Sequence, residues 1–319
     1  MTDLDRDQLL DLWQRMVRIR RFEERIHDEV EHDRLVGYVH CYSGQEAVAV
    51  GVIPLLGEGD WLTSTYRNHG HAIARGVPLP AIAGEILGRA TGVCGGKGGS
   101  MHVADQDLGM IGGMGIVAGG LPIATGAAFA ARYRGEPRVA VAFFGDGAVH
   151  QGAFHETLTF AALFDCPVLF VCENNLYAET TAVDYHLLAG SVTAMAQPYR
   201  IPAERVDGMD VFAVREAASR ALQRARQGGG PALIEAMTYR YYGQYEGDDQ
   251  AYKPPEEVAA WRERDPLPAF RRRVAGTLSD DDLNGVERDV AREVEEAMQE
   301  AAEAPWPDLA TVTADVYTS

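Results

Sequence analysis

Two short polar sequences interrupt otherwise apolar runs: Gly145-Asp146-Gly147 and Asn174-Asn175. Asp146 offers a carboxylate and the asparagines offer amide oxygens, the hard donors that magnesium takes together with the oxygens of a bound phosphate. Gly147 lets backbone and ligand approach closely. The residues around these groups are the kind that would position them. Val139 to Phe144 is a continuous apolar run ended by Gly145, which predicts a strand buried on both faces. Gln151 to Phe164 carries Phe154, Leu158, Ala161 and Ala162 at helical spacing, and Pro167 to Cys172 predicts a second buried strand. The stretch from Val139 to Tyr177 is thus a β-α-β unit whose strands end on one edge of a parallel sheet, where ligands bind. Either polar turn alone reads as a plain connector. Together, one helix and one strand apart, their ligand types fit a magnesium diphosphate.

Bulk properties narrow the field. At 319 residues and 46% hydrophobic, the chain can bury a large core. No apolar run approaches the ~18 residues of a membrane span, and the opening MTDLDRDQLL is acidic, unlike a secretion signal, so a cytoplasmic location is expected. A formal net charge of −18 argues against nucleic acid, which requires a basic footprint. Cys41, Cys94, Cys166 and Cys172 form no Cys-x-x-Cys pair, so reduced, mostly buried thiols are expected. His69 and His71 lack a third metal ligand at a useful spacing.

The remaining segments read as scaffold and covering loops. Leu9, Leu10, Trp13, Met16, Val17, Phe22, Ile26 and Val30 predict a long amphipathic helix, with His27 and His32 in solvent. Gly113-x-Gly115-x-x-Ala118 superficially matches a dinucleotide fingerprint. No strand is expected before it and no acidic residue ends a strand about 20 residues on, which argues against NAD. Gly95 to Ser100 lacks the spacing of a phosphate loop, so these glycines are expected to bring backbone close to a cofactor or another subunit. The segment from Tyr177 to Arg205 is irregular and suited to covering a site. A helix to Arg226, a strand from Ala232 to Met237 and a Ser279-capped helix carrying Leu283, Val286, Val290, Val294 and Met298 follow. This alternation predicts a doubly wound, mostly parallel α/β sheet with N- and C-terminal helices, a single domain over 1–319.

YVHCYSGQEA, TYRNHGH, GGKGGSMH, GMGIVAG, the Asp146 and Asn175 turns, RVDGMD and MTYRYYGQYEGD occur in this order. The set resembles the alpha subunit of the thiamine diphosphate-dependent, decarboxylating component of 2-oxo acid dehydrogenase complexes, a family that includes pyruvate, branched-chain and acetoin dehydrogenases. The resemblance implies a magnesium ion held by Asp146, Asn175 and the backbone oxygen of Tyr177. It places Tyr66, Arg67, Gly147 and Ala148 at the cofactor's diphosphate and backbone groups of Gly115 and Val117 at its aminopyrimidine, with Arg240 as a further cofactor-binding residue. His40 would face the substrate end, with His69 and Gln244 as further catalytic candidates. The implied partners are a beta subunit, supplying a Glu to the far end of the aminopyrimidine in an α2β2 heterotetramer, and a lipoyl acyltransferase. The implied substrate is a 2-oxo acid or acetoin. The loop from Arg240 to Pro255 would lie at the active-site mouth. There the chain departs from its relatives, which commonly carry His where Gln244 stands, so a proton-transfer role at that position is lost. The YEGD after Gln244 is more similar to acetoin-type subunits. A non-oxidative carboligase and a non-catalytic cofactor-binding subunit are the rival readings.

Overall fold

The computed structural model describes residues 4–35 and 37–314. Its strands are β1 (Trp61–Thr65), β2 (Met110–Met114), β3 (Ala140–Gly145), β4 (Val168–Asn174), the hairpin pair β5 (Tyr177–Ala178) and β6 (Thr181–Ala182), β7 (Ala203–Asp207) and β8 (Ala232–Met237). The first helices are α1 (Arg6–Glu31), α2 (Glu46–Val52), α3 (His69–Arg75), α4 (Leu79–Ile86), α5 (Gly120–Arg134) and α6 (Gly152–Leu163). They are followed by α7 (Val183–His186), α8 (Val192–Ala196), α9 (Val211–Arg226), α10 (Pro255–Glu263), α11 (Pro266–Val274) and α12 (Asp280–Glu303).

Six strands form one parallel sheet in the order β2-β1-β3-β4-β8-β7. Alternate residues of β3 serve different cores. Val141 and Phe143 join α1, α2, α3, α9 and α12, while Ala140, Ala142 and Phe144 join α5 and α6. Burial on both faces is why β3 and β4 read as unbroken apolar runs. Helices cover both faces, so the doubly wound α/β arrangement expected from the sequence is the one observed.

Three strands carry weaker signals. β2 and β7 are sheet edges, and their sequences, MIGGM and AERVD, are glycine-rich or polar. β1, WLTST, is interior, and Thr63 there is fully buried because its hydroxyl donates to the Gly120 oxygen at 2.9 Å. The presence of β2 corrects the expectation that no strand precedes Gly115. The segment runs strand, turn, α5, yet β2 sits at the sheet edge, separated from β3 by β1.

The other glycine run wraps an internal anion. Glu85 of α4, fully buried, accepts backbone N–H bonds from Cys94 (2.7 Å), Gly96 (3.0 Å), Gly98 (2.7 Å) and Gly99 (3.0 Å). Gly96 has φ +74°, and a Cβ there would lie 2.6 Å from the Arg89 oxygen. Glycine is required for the loop to close on the carboxylate. At the C-terminus, Ser279 and Asp282 form a capping box on α12, whose Leu283, Val290, Val294 and Met298 are buried as expected, with Val286 half-buried.

Candidate active site

The strand order reverses between β1 and β3: β2 lies to one side of β1, and β3 and β4 to the other. In an open α/β sheet, the crevice outside the carboxyl ends at such a switch point is where ligands bind. Here it is a cavity of about 320 Å³. Tyr66 and Arg67 follow β1, Asp146 to Ala148 follow β3, and Asn175 and Tyr177 follow β4, all on its wall. Ile116, Val117 and Ala118 enter from the turn after β2, and Arg240 and Gln244 from the loop after β8. Ten of the sequence-predicted residues therefore meet in one place.

The Asn pair divides its work. The Asn174 amide donates to Glu235 Oε1 at 2.8 Å, and its oxygen accepts from the Leu176 N–H at 3.3 Å. Glu235 itself is buried; Arg205, Asn174 and the N–H of Thr193 outweigh that burial and hold its carboxyl below the ordinary range. Asn175 instead donates to Gln45 Oε1 at 3.1 Å and leaves its own Oδ1 buried without a partner. Asp146 is 1% exposed, with Oδ2 3.0 Å from His186 Nε2. His186 Nδ1 meets His150 Nε2 at 3.0 Å. An unpartnered amide oxygen beside a buried carboxylate is the donor chemistry magnesium takes, so these residues fit that ion. Consecutive residues at the end of a strand point to opposite faces, which separates the directions of the two asparagines, and Leu176, in the left-handed region at φ 74°, turns the chain after them. Gly147 has its own requirement: a Cβ would lie 2.7 Å from the Ala178 methyl of the covering hairpin.

Two cations line the same cavity. Arg67 is 4% exposed and donates to two carbonyl oxygens, those of Cys41 and Gln244, the latter at 2.8 Å. Arg240 is 1% exposed and donates to Gln244 Oε1, to the Glu179 oxygen and to the Tyr252 hydroxyl, while its Nε has no partner. Neither guanidinium forms an ion pair with a carboxylate among the described residues. Burial, and then the neighbouring Arg67, push the Arg240 pKa down. Two buried, uncompensated cations cost several kcal/mol unless an anion joins them. A diphosphate is the dianionic or more highly charged group that geometry suits, because guanidinium forks match phosphate oxygens.

Three predicted residues lie off the cavity wall. His40 packs on the Tyr66 ring, centroids 4.6 Å apart, with Nδ1 unpartnered. Burial, then Arg67, His69 and Arg240, lower its pKa to about 3, so it is neutral near pH 7. Gly115 lies next to the His102 ring, between the cavity-lining Met114 and Ile116. His69 is fully buried, its Nδ1 3.1 Å from Glu23 and its Nε2 3.0 Å from the Ser100 hydroxyl. Both of its nitrogens are thus occupied by neighbours away from the cavity. Sequence reasoning missed His186, Gln45 and Glu173. Glu173 lines the cavity while accepting from the Tyr42 hydroxyl and lying 3.2 Å from His71 Nε2. His186 lies 40 residues beyond Asp146, a separation with no local signature.

The profile of the family described as dehydrogenase E1 component matches residues 14–310, and the chain belongs to that family. It is 45% identical over 317 residues to the alpha subunit of acetoin:2,6-dichlorophenolindophenol oxidoreductase from Bacillus subtilis, covering 99% of this chain and 95% of that one. The subunit of the same name from Cupriavidus necator is 46% identical over 319 residues, covering 99% and 96%. The pyruvate dehydrogenase E1 component subunit alpha of Porphyra purpurea is 39% identical over 316 residues, covering 96% and 92%. The family is thiamine diphosphate-dependent. No helix among the described residues is long and apolar enough to cross a membrane.

Proposed function

We propose that this chain is the alpha subunit of a thiamine diphosphate-dependent dehydrogenase that acts on acetoin or a 2-oxo acid and passes the acyl unit to the lipoyl group of a partner acyltransferase. The observation that carries this reading is the pairing, across one cavity, of two buried guanidinium groups lacking carboxylate partners with the Asp146 carboxylate and the orphaned Asn175 oxygen. Asp146, Asn175 and the backbone oxygen of Tyr177 would hold Mg2+. Tyr66, Arg67 and Arg240, with the backbone of Gly147 and Ala148, would take the diphosphate, and Gly115 and Val117 the aminopyrimidine.

The cofactor, when bound, supplies the carbon nucleophile that attacks the substrate carbonyl. The chain's own residues bind, orient and exclude water. Ile116, Val117 and Leu121 give the cavity an apolar side. Neutral His40 offers a ring nitrogen as acceptor behind Tyr66, and Gln244 offers an uncharged amide at the mouth. His69 would brace the packing between Glu23 and Ser100 instead of meeting substrate. Relatives named for acetoin and the YEGD sequence both support acetoin ahead of pyruvate.

The name "subunit alpha" in these relatives supports a beta partner, which would complete the aminopyrimidine side in an α2β2 cytoplasmic complex, with this chain as one diphosphate-side domain. Calorimetry on the reconstituted complex tests the cofactor assignment: Asp146→Ala should eliminate Mg2+-dependent thiamine diphosphate binding, and an unchanged affinity would sink it. Turnover should require added beta subunit. Robust activity from the pure chain would overturn the split site.

A further inference from the structure

We propose that His27, on the N-terminal helix, is a positioning residue that latches the 240–250 loop and thereby holds Gln244 at the cavity wall. The importance given to Gln244 rests on the function proposed above; the latch rests on contacts outside the cavity. The charged surroundings of His27 in the sequence predict a solvated ring. Instead it stacks on Tyr242, with centroids 4.1 Å apart and planes at 18°. Its Nδ1 lies 2.5 Å from Glu246 Oε2, and its Nε2 lies 3.2 Å from Glu31 Oε1.

Tyr242 and Glu246 bracket Gln244 by two residues on each side, so one imidazole grips the loop on both flanks of the residue that faces the cavity. The loop has no regular secondary structure between Tyr239 and Lys253. Without ladder hydrogen bonds to offset its ordering entropy, side-chain contacts must hold it. Gln244 N–H donates to Asp248 Oδ2 at 2.6 Å, and the Glu246 N–H donates to the Val39 oxygen at 2.8 Å, beside His40. Lys253 Nζ donates to the Arg240 oxygen at 2.9 Å and to the Tyr242 oxygen. Asp248 and Lys253 brace the loop internally and at its base. The Val39 oxygen and Arg67, which donates to the Gln244 oxygen at 2.8 Å, hold its inner side. His27 adds the side-chain tie from its outer turn to α1.

That helix is rigid. α1 begins with a capping box from Asp5 and Gln8, packs along α12, and its Trp13 indole donates to the Leu283 oxygen at 3.1 Å. Through this anchor Gln244 keeps Nε2 on the Tyr66 hydroxyl at 2.9 Å and Oε1 on Arg240. Removing the imidazole leaves the Glu246 carboxylate, 4% exposed in its side chain, without its partner, and frees Tyr242. The outer turn then opens while the sheet stays closed.

The test uses the complete complex with its beta subunit, thiamine diphosphate and Mg2+. In His27→Ala, amide hydrogen exchange across residues 242–250 should accelerate about tenfold or more, with β3 and β4 unchanged as the internal control for folding. His27→Phe, which keeps the stack on Tyr242 and loses the Glu246 contact, should fall between wild type and His27→Ala. Turnover adds a readout that general destabilisation would not produce. His27→Ala should lower kcat in the wild-type background and add nothing in a Gln244→Ala background, since the two act through one side chain. Unchanged loop exchange in His27→Ala, or equal losses of kcat in both backgrounds, overturns the latch. Accelerated exchange together with wild-type turnover in Gln244→Ala upholds the latch and counts against the active-site reading of Gln244 instead.

Discussion

Asn174 and Asn175 are chemically identical neighbours given opposite tasks, one facing a buried carboxylate and one facing the cavity. Asn174→Ala should lower stability by about 1–3 kcal/mol in urea denaturation, because Glu235 loses a hydrogen-bond donor inside the fold. Asn175→Ala should also lower stability by about 1–3 kcal/mol, because the buried Gln45 oxygen loses its donor. It alone should weaken Mg2+-dependent cofactor binding, by about 100-fold or more, since it also removes the unpartnered oxygen. Equal losses of cofactor affinity in both variants would erase the distinction. Gln244 carries the mechanistic departure. Its amide accepts from Arg240 and donates to Tyr66, and an imidazole could keep both contacts only as a neutral ring, the form two adjacent guanidinium groups favour. Gln244→His should therefore alter cofactor affinity by less than about tenfold while raising acyl transfer to a lipoyl domain. Single-turnover kinetics with an artificial electron acceptor and with a lipoyl domain separate the two steps. Equal or lower lipoyl transfer would favour the non-oxidative carboligase.

At the level of elements, the loop from Cys94 to Gly99 depends on α4 for a single carboxylate. Each Glu85 oxygen accepts two backbone N–H groups, so all the acceptor capacity of the buried anion is used. Glu85→Gln turns one of those oxygens into an NH2 group aimed at two donors. The variant should lose about 2 kcal/mol or more, and the amides of Gly96, Gly98 and Gly99 should lose exchange protection before those of β3 and β4. Retained protection at those three amides would mean that backbone geometry alone closes the loop. The hairpin of β5 and β6 followed by α7 is tied in the same way at the cavity itself, where His186 holds the covering segment to Asp146.

Across the whole molecule, the cationic wall makes stability depend on pH in one direction. His40 titrates near 3 in the fold against an ordinary value near 6.5, so between those values the unfolded chain binds a proton that the folded chain refuses. Its contribution is fully present above pH 6.5 and is lost as pH falls toward 3, with a slope of up to about 1.4 kcal/mol per pH unit. Lys253 follows the same sign in a higher window. Burial, then Arg240 and Arg67, lower it to about 7, so stability rises from there toward its ordinary 10.5. Urea midpoints measured from pH 4 to 7 should fall with acid in the wild type and fall less steeply in His40→Asn. Parallel curves would place the acid sensitivity elsewhere.

What the sequence alone determined is whatever is encoded locally. β3, α6 and β4 were legible because a strand buried on both faces must be apolar throughout and a helix must repeat every 3.6 residues. The polar turns at their ends were legible because nothing apolar could occupy them. The resemblance carried by ordered motifs added Tyr66, Arg67 and Arg240, far apart in the chain. β1, β2 and β7 were not legible, since interior polar groups such as Thr63 are satisfied by distant partners and edge strands need little hydrophobicity. Tertiary structure alone decided that the sheet reverses between β1 and β3, which brings Arg67 and Asp146 to one cavity. It also decided that Asn175 faces the cavity while Asn174 turns inward, that His69 points away, that His186 reaches Asp146, and that His27 grips the loop carrying Gln244 from outside the cavity. Those outcomes depend on contacts between residues tens to hundreds of positions apart, and such contacts leave no period, spacing or local composition in the chain that makes them.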